Sequence, residues 1–538
     1  MTKLLCLFAF ALSAAIAAAA PVTVVAQKAG YYTSLARHAQ RWLKMQGVSA
    51  ALATPQTMAS TLADARVAFL IGFEEPTASE LRTLKAMRAR GGKLVVFYSA
   101  SPSLAQLMGV KVLGYATAPY PGAWSRMNFD AGALAGCPRT ILQTSTVLQR
   151  AQPVKGRSVA LANWIDRSGR ATGDAAWLRS DAGYWMTHVL LADGDEAEKA
   201  QLLAAICGSA GADLWNARAA AAREKERLAA LAAYASRQQP RKGEIHAVWD
   251  HSGCGLYPGN WPRTIALLKA SRVTDLFVNV AGAGFAHYPS AVLPRSKTFA
   301  QEGDQLAQCT AAARGSGIRV HAWLLCFTGT RATPDRLEVF RTRGWRLKTR
   351  DGKLSEYLNP ANASLQATLL SAIDEMQARY RIDGIHLDFV RWYERAVKPD
   401  NAANVISRFV LEARRRTIRP RWLTAAVLGK YPACVASVGQ DWSSWLNMNI
   451  IDYAVPMDYT ESLSTFGSYL QQHSAVRAHA RRTIAGIGVT ANESRLDARQ
   501  VIDQIRLARN HGLAGVALFD LDATLKKQIL PYLRQGIW

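Results

Sequence analysis

The sequence predicts an α/β protein: a (β/α)8 TIM barrel in the C-terminal half, preceded by a flavodoxin-like α/β accessory domain. Three observations carry that expectation. Eight short apolar runs, each followed by a helical pattern, occupy residues 243–538, and such a barrel takes about 250 residues plus insertions. A shorter alternation of the same kind fills residues 21–215. Between them, residues 216–242 are Ala- and Arg-rich, run up to Pro240 and read as a helical linker with a solvated charged face. With 49% hydrophobic and 20% charged residues, the chain is neither disordered nor a coiled coil.

Residues 1–20, MTKLLCLFAFALSAAIAAAA, read as a signal peptide: Lys3, an apolar core from Leu4 to Ile16, then small residues. That core is too short for a bilayer, which takes about 20 apolar residues. No later run supplies a transmembrane segment, so an exported, periplasmic or extracellular chain is expected. Cys137, Cys207, Cys254, Cys309, Cys326 and Cys434 would remain; their even number permits disulfides without demanding them.

The N-terminal runs VTVVAQ, VAFLIGF, KLVVFYSA and KVLGYA alternate with helical stretches, the pattern of βαβ units and a parallel sheet. SVALANWID, AAWLRS and GYWMTHVLLA follow between residues 158 and 192. Residues 21–215 resemble the flavodoxin-like core of class I glutamine-amidotransferase-type domains. The resemblance implies a cysteine on a tight turn after a strand, where this chain reads Phe97-Tyr98-Ser99-Ala100-Ser101. No G-x-S-x-G elbow replaces it, so Ser99 and Ser101 are read as turn residues and the domain as structural or carbohydrate-recruiting.

The eight barrel strands are expected at 244–250, 273–280, 318–326, 383–390, 422–428, 451–459, 482–489 and 514–520. Helices fall at Ser364 to Tyr380, Ala402 to Arg416 and Ala498 to His511, among others. Active sites on this fold sit at the C-terminal strand ends. On the fourth strand Ile385, Leu387 and Phe389 suit the helix side, which leaves His386 and Asp388 pointing inward. The same polar parity selects Asp250, Asn279, His321 with Trp323, Thr424, Asp458 and Asp520. Aromatic residues crowd these ends: Trp323 and Trp392 are read as cleft residues, Trp249 and Trp445 as helix-side core. Asp441 is read first as a helix N-cap and Asp383 as a turn residue at the opposite face.

GIHLDFVRW at 384–392, HAWLLCF at 321–327 and YLNPANASLQ at 357–366 resemble glycosyl-hydrolase-like family 10. So do AAVLGKYPACVASVGQDW at 425–442, PMDYT at 456–460, GIGV at 486–489 and ALFDLD at 517–522. The resemblance runs in order through residues 243–538. It implies a barrel hydrolase of bacterial envelope or extracellular glycans, some such families being similar to enzymes that cut denuded peptidoglycan strands. HAWLLCF departs from the family, whose sequences read HAW followed by an Asn-Pro pair.

Glycoside hydrolysis needs a proton donor and a second carboxylate as nucleophile or base. Asp388 is the candidate for one role and Asp458 for the other. Asp250, Asn279, His321, Trp323, His386, Arg391, Trp392, Asp441, Tyr459 and Asp520 are the candidates for substrate binding. No H-x-x-x-H or H-E-x-x-H accompanies them, so neither a metal nor another cofactor is expected. The alternative from another class is a non-catalytic glycan-binding protein on a degenerate barrel.

Lys and Arg number 65 against 40 Asp and Glu, a net charge of +25 that favours polyanionic neighbours. The one dense basic run, Arg414, Arg415, Arg416, Arg419 and Arg421, ends a helix, where cations are favourable anyway. No nucleic-acid module accompanies it. The expected partners are a polysaccharide and an anionic envelope surface, not nucleic acid.

Overall fold

The computed structural model describes residues 20–192, 195–475 and 477–538 in two compact units, 1–227 and 228–538. The signal-peptide reading lies on residues outside the described ones, apart from Ala20.

The first unit is built on a nine-stranded sheet. Strands 51–53, 22–26, 67–71, 93–97 and 183–186 lie side by side and parallel. Runs such as VTVVA and VAFLI are buried at every position, as strands covered on both faces require. Helices cover both sides. Thr77 and Glu80 start helix 78–89 with a reciprocal capping box, and Ser101 accepts from Leu104 N–H to start helix 102–108.

The parallel sheet expected throughout is found only in this half. Strands 171–180, 158–165, 124–129 and 140–145 continue the sheet antiparallel. Strands 110–117 and 147–153 form a separate ribbon. The cause is in the pattern: burial alternates strictly at Thr140–Ser145, a period of two that a one-sided strand satisfies and a crossover helix does not.

The second unit is a closed barrel of eight parallel strands. They are β1 (Ile245–Asp250), β2 (Asp275–Gly282), β3 (Arg319–Leu325), β4 (Gly384–Asp388), β5 (Trp422–Leu428), β6 (Tyr453–Met457), β7 (Ile484–Gly488) and β8 (Gly515–Phe519). β1 pairs with both β2 and β8, which closes the ring. Ala247, Trp249, Phe277, Trp323, Ala426, Val455 and Ala517 fill the barrel, while Val248, Leu276, Ile385, Leu387, Val427 and Leu518 pack outward against the helices.

The stretch expected as a linker does form a helix, Ala217–Ser236. Residues 221–230 are exposed, and the last turns are anchored. Leu231 and Ala235 are buried in the barrel unit's outer core, Tyr234 donates to Asp503, and Arg499 lies over the Tyr234 ring at 3.5 Å.

Candidate active site

Asp388 ends β4 with its side chain turned into the barrel mouth and 5% of its surface exposed. Burial raises its pKa above the ordinary 3.8. The nearby Arg391 cation, the Phe389 N–H at 2.6 Å and the Trp323 indole oppose that rise without cancelling it. A carboxyl tuned upward in this way is suited to giving a proton to a leaving group. Phe389, next in the chain, stands in the left-handed region at φ 50°. That turn swings Phe389 under Arg391, whose guanidinium lies 4.4 Å from the ring centre. Arg391 makes no hydrogen bond among the described residues, and its Nη1 is buried without a partner.

Beneath Asp388 lies an aromatic floor. His386 stacks on Phe277 at 4.1 Å. Its Nε2 accepts from the Trp249 indole at 2.9 Å, and its Nδ1 faces the Thr424 hydroxyl at 2.8 Å. An acceptor at Nε2 fixes the proton on Nδ1, so the ring is neutral; burial holds its pKa well below the usual 6.5. His386 therefore supports the site from below and is not open to substrate. Trp323 stands beside it, in register with His386 on the neighbouring strand. Tyr459 and Phe519 stack at 5.5 Å and, with Trp249, form the wall on the β6–β8 side. Asn279 is buried in the barrel; its Nδ2 donates to the His251 carbonyl at 3.4 Å and its Oδ1 has no partner.

Asp520 follows β8 and accepts from the His251 N–H at 3.2 Å. Burial and the neighbouring Asp250 push its pKa up to about 7. Burial raises the Tyr459 pKa well above 10, and the carboxylates of Asp388, Glu493, Asp520 and Asp458 add to that rise. The mouth thus gathers Asp388, Tyr459, Asp520, Arg391 and Trp323.

Other expected site residues lie elsewhere. Asp458 faces outward from the end of β6: Val455 fills the barrel and Ala454 packs outward, so residue 458 shares the outer parity. Its carboxyl is fully buried, neither oxygen has a hydrogen-bond partner, and His473 Nδ1 on the helix behind is 3.5 Å away. Burial raises its pKa well above 3.8. Asp250 also lies on the outer parity of its strand. It ties down the following loop, accepting from Ser252 Oγ at 2.6 Å, Gly253 N at 3.2 Å and Gly255 N at 2.8 Å. Trp249, expected toward the helices, fills the barrel in its place.

His321 is inward but deep. It pairs in register with Gly384, four residues before Asp388, a depth of about 13 Å at 3.3 Å per residue. There it bonds Asp275 at 2.9 Å. Trp392 is outer core, its indole N–H on the Ala402 carbonyl at 3.3 Å. Asp441 caps helix Trp442–Asn447 through Ser444 N–H and Oγ, and does not reach the mouth.

Three mouth residues escaped the sequence reading. His251 lies 5.9 Å from the Trp323 ring and 5.8 Å from Phe519. Arg331 donates to the His251 carbonyl at 3.1 Å and lies 4.8 Å over Phe285. Phe519 is the third. Arg331 comes from the segment just after HAWLLCF, where the chain leaves the family pattern; that departure was the available signal.

The barrel and its mouth define the class: a TIM barrel whose rim combines buried carboxyls with aromatic walls. Residues 257–408 match the family described as Glycosyl hydrolase-like 10, a span that includes Asp388 and Arg391. Similar solved structures include the PgaB (BpsB) glycoside hydrolase domain of Bordetella bronchiseptica, at 13% identity, 51% of this chain, 93% of that chain and TM-score 0.40. A class V chitinase of Pseudomonas fluorescens gives 11%, 55%, 99% and 0.37. The endo-1,4-beta-mannanase of Rhizomucor miehei gives 12%, 52%, 86% and 0.39. No curated protein matches the chain.

Proposed function

We propose that the protein is an exported glycoside hydrolase of a bacterial cell-wall or envelope polysaccharide, with denuded peptidoglycan glycan as its leading substrate. The observation that carries this reading is Asp388: a carboxyl at the barrel mouth, raised in pKa by burial and set among Trp323, Tyr459 and Arg391. Aromatic faces pack against the C–H faces of sugar rings, and a carboxyl that keeps its proton can donate it to the glycosidic oxygen. Asp520 is proposed as the second carboxylate, because it accepts from the His251 N–H, and the His251 ring lies beside Trp323 and Phe519. Asp458 is proposed as a buried brace of the β6 end.

Replacing Asp388 with Asn tests the reading. Released reducing ends from denuded glycan strands are expected to fall by about 10²–10⁴-fold, the usual weight of a positioned acid or base. Mass spectrometry of products from sacculi with and without peptide stems would identify the substrate; peptide-free products from denuded material alone are expected. Equal release by wild type and variant would leave the glycan-binding alternative in its place.

A further inference from the structure

The opposite end of the barrel holds a cavity of about 360 Å³, lined by Arg419, Trp422, Asn449, Asp452, Tyr453 and Arg482. Trp422 and Tyr453 are the first residues of β5 and β6, so the cavity opens at the N-terminal strand ends. β5 is seven residues long, which separates this end from the mouth by roughly 20 Å.

Its charges do not balance. Asp452 binds Arg414 at 2.7 Å and Arg419 at 3.3 Å, one carboxylate against two guanidiniums. Arg482 adds a third cation. It donates to the carbonyls of Asp452, Leu446 and Ile451 and to Asn449 Oδ1, all neutral oxygens, and no carboxylate lies within ion-pair distance among the described residues. Three cations against one anion leave this open cavity with surplus positive charge.

Unused donors face the same space. The Asn449 side-chain amide accepts from Arg482 at 2.8 Å, and its N–H groups donate to nothing described. The Tyr453 hydroxyl makes no hydrogen bond among the described residues. Arg419 uses only Nη2 and leaves its other nitrogens open. Amide, phenol and guanidinium donors around surplus positive charge match an oxyanion.

We propose that this cavity is a binding site for a small oxyanion, a phosphate or carboxylate group, distinct from the mouth. The group has two sources, a free ion or an acidic unit of a polymer, and their shared chemistry is what the cavity recognises. The proposal stands independently of hydrolysis at Asp388.

Calorimetric titration of the full chain at low salt, with inorganic phosphate and separately with oligogalacturonate, tests it. Saturable binding of either probe is expected, weakened about tenfold by Arg419→Met and by Tyr453→Phe, each removing a donor to a charged group. Phosphate binding alone identifies a free ion; tighter binding of the oligomer identifies a polymer-borne acid. Thermal melting checks that both variants remain folded, and glycan hydrolysis should not change in Arg419→Met. No saturable binding at millimolar concentrations, or equal affinity in wild type and both variants, would overturn the proposal.

Discussion

Phe389 holds a left-handed backbone at φ 50° directly after Asp388. An L-residue there costs of order 1–3 kcal/mol, and a β-branched one costs most. Phe389→Val is therefore expected to lower stability by about 1–2 kcal/mol, and Phe389→Gly to relieve the strain but remove the ring under Arg391. Melting temperatures of the two variants check the first effect, and hydrolysis rates the second. Asp520 offers a pH test. Its folded-state pKa of about 7 exceeds the ordinary 3.8. The stabilisation from holding that proton is complete below 3.8 and is lost as pH rises through about 7. Asp520→Asn should flatten the fall in melting temperature across that window. His386 acts in the opposite sense: its depressed pKa gives stability that is present above 6.5 and lost as pH falls below it. The inward parity of Asn279, His321, Trp323, His386, Asp388 and Thr424 was legible, because their neighbours on alternate positions are aliphatic. At β1 and β6 the polar residues Asp250 and Asp458 were read inward, yet Trp249 and Tyr459 take the inward positions. Alternation fixes two faces but does not say which one an aromatic ring will take.

At the scale of elements, the barrel strands were read within a few residues of where they lie. Parallel strands covered on both faces appear as uninterrupted apolar runs, which stand out from their surroundings. The first unit was less legible past Phe97, since a one-sided antiparallel strand and a short helix leave similar numbers of apolar residues. Gly515 shows how closely the elements meet. A Cβ there would lie 2.0 Å from the Ile245 carbonyl oxygen across the β1–β8 seam. Gly515→Ala should therefore cost about 1–3 kcal/mol through forced backbone displacement, read as a drop in the denaturant midpoint. Helix Ala217–Ser236 carries a second lesson: Ala-rich composition gave the helix, but only Leu231 and Ala235 mark where it docks.

Among the described residues, Cys137, Cys207, Cys254, Cys309, Cys326 and Cys434 are all free thiols. Cohesion comes instead from cores in each unit. No helix among the described residues is long and apolar enough to cross a membrane. The +25 charge was visible at once, but the grouping of three arginines around Asp452 was not. Arg414 and Arg419 came from the basic run, whereas Arg482 joins them only through folding. The ring itself closes through β1 and β8, and the bond from His251 N to Asp520 Oδ1 spans 269 positions of chain. A chain cut after Asn510 loses β8, and its barrel region is expected to lose cooperative melting and protease resistance. The same topology sets an order of events during synthesis. Until β8 leaves the ribosome, β1 has an unpaired edge and the barrel is kept open by the geometry of its own seam. Contacts of such long range form slowly and late. The β1–β8 seam can therefore close only once the whole barrel sequence is available.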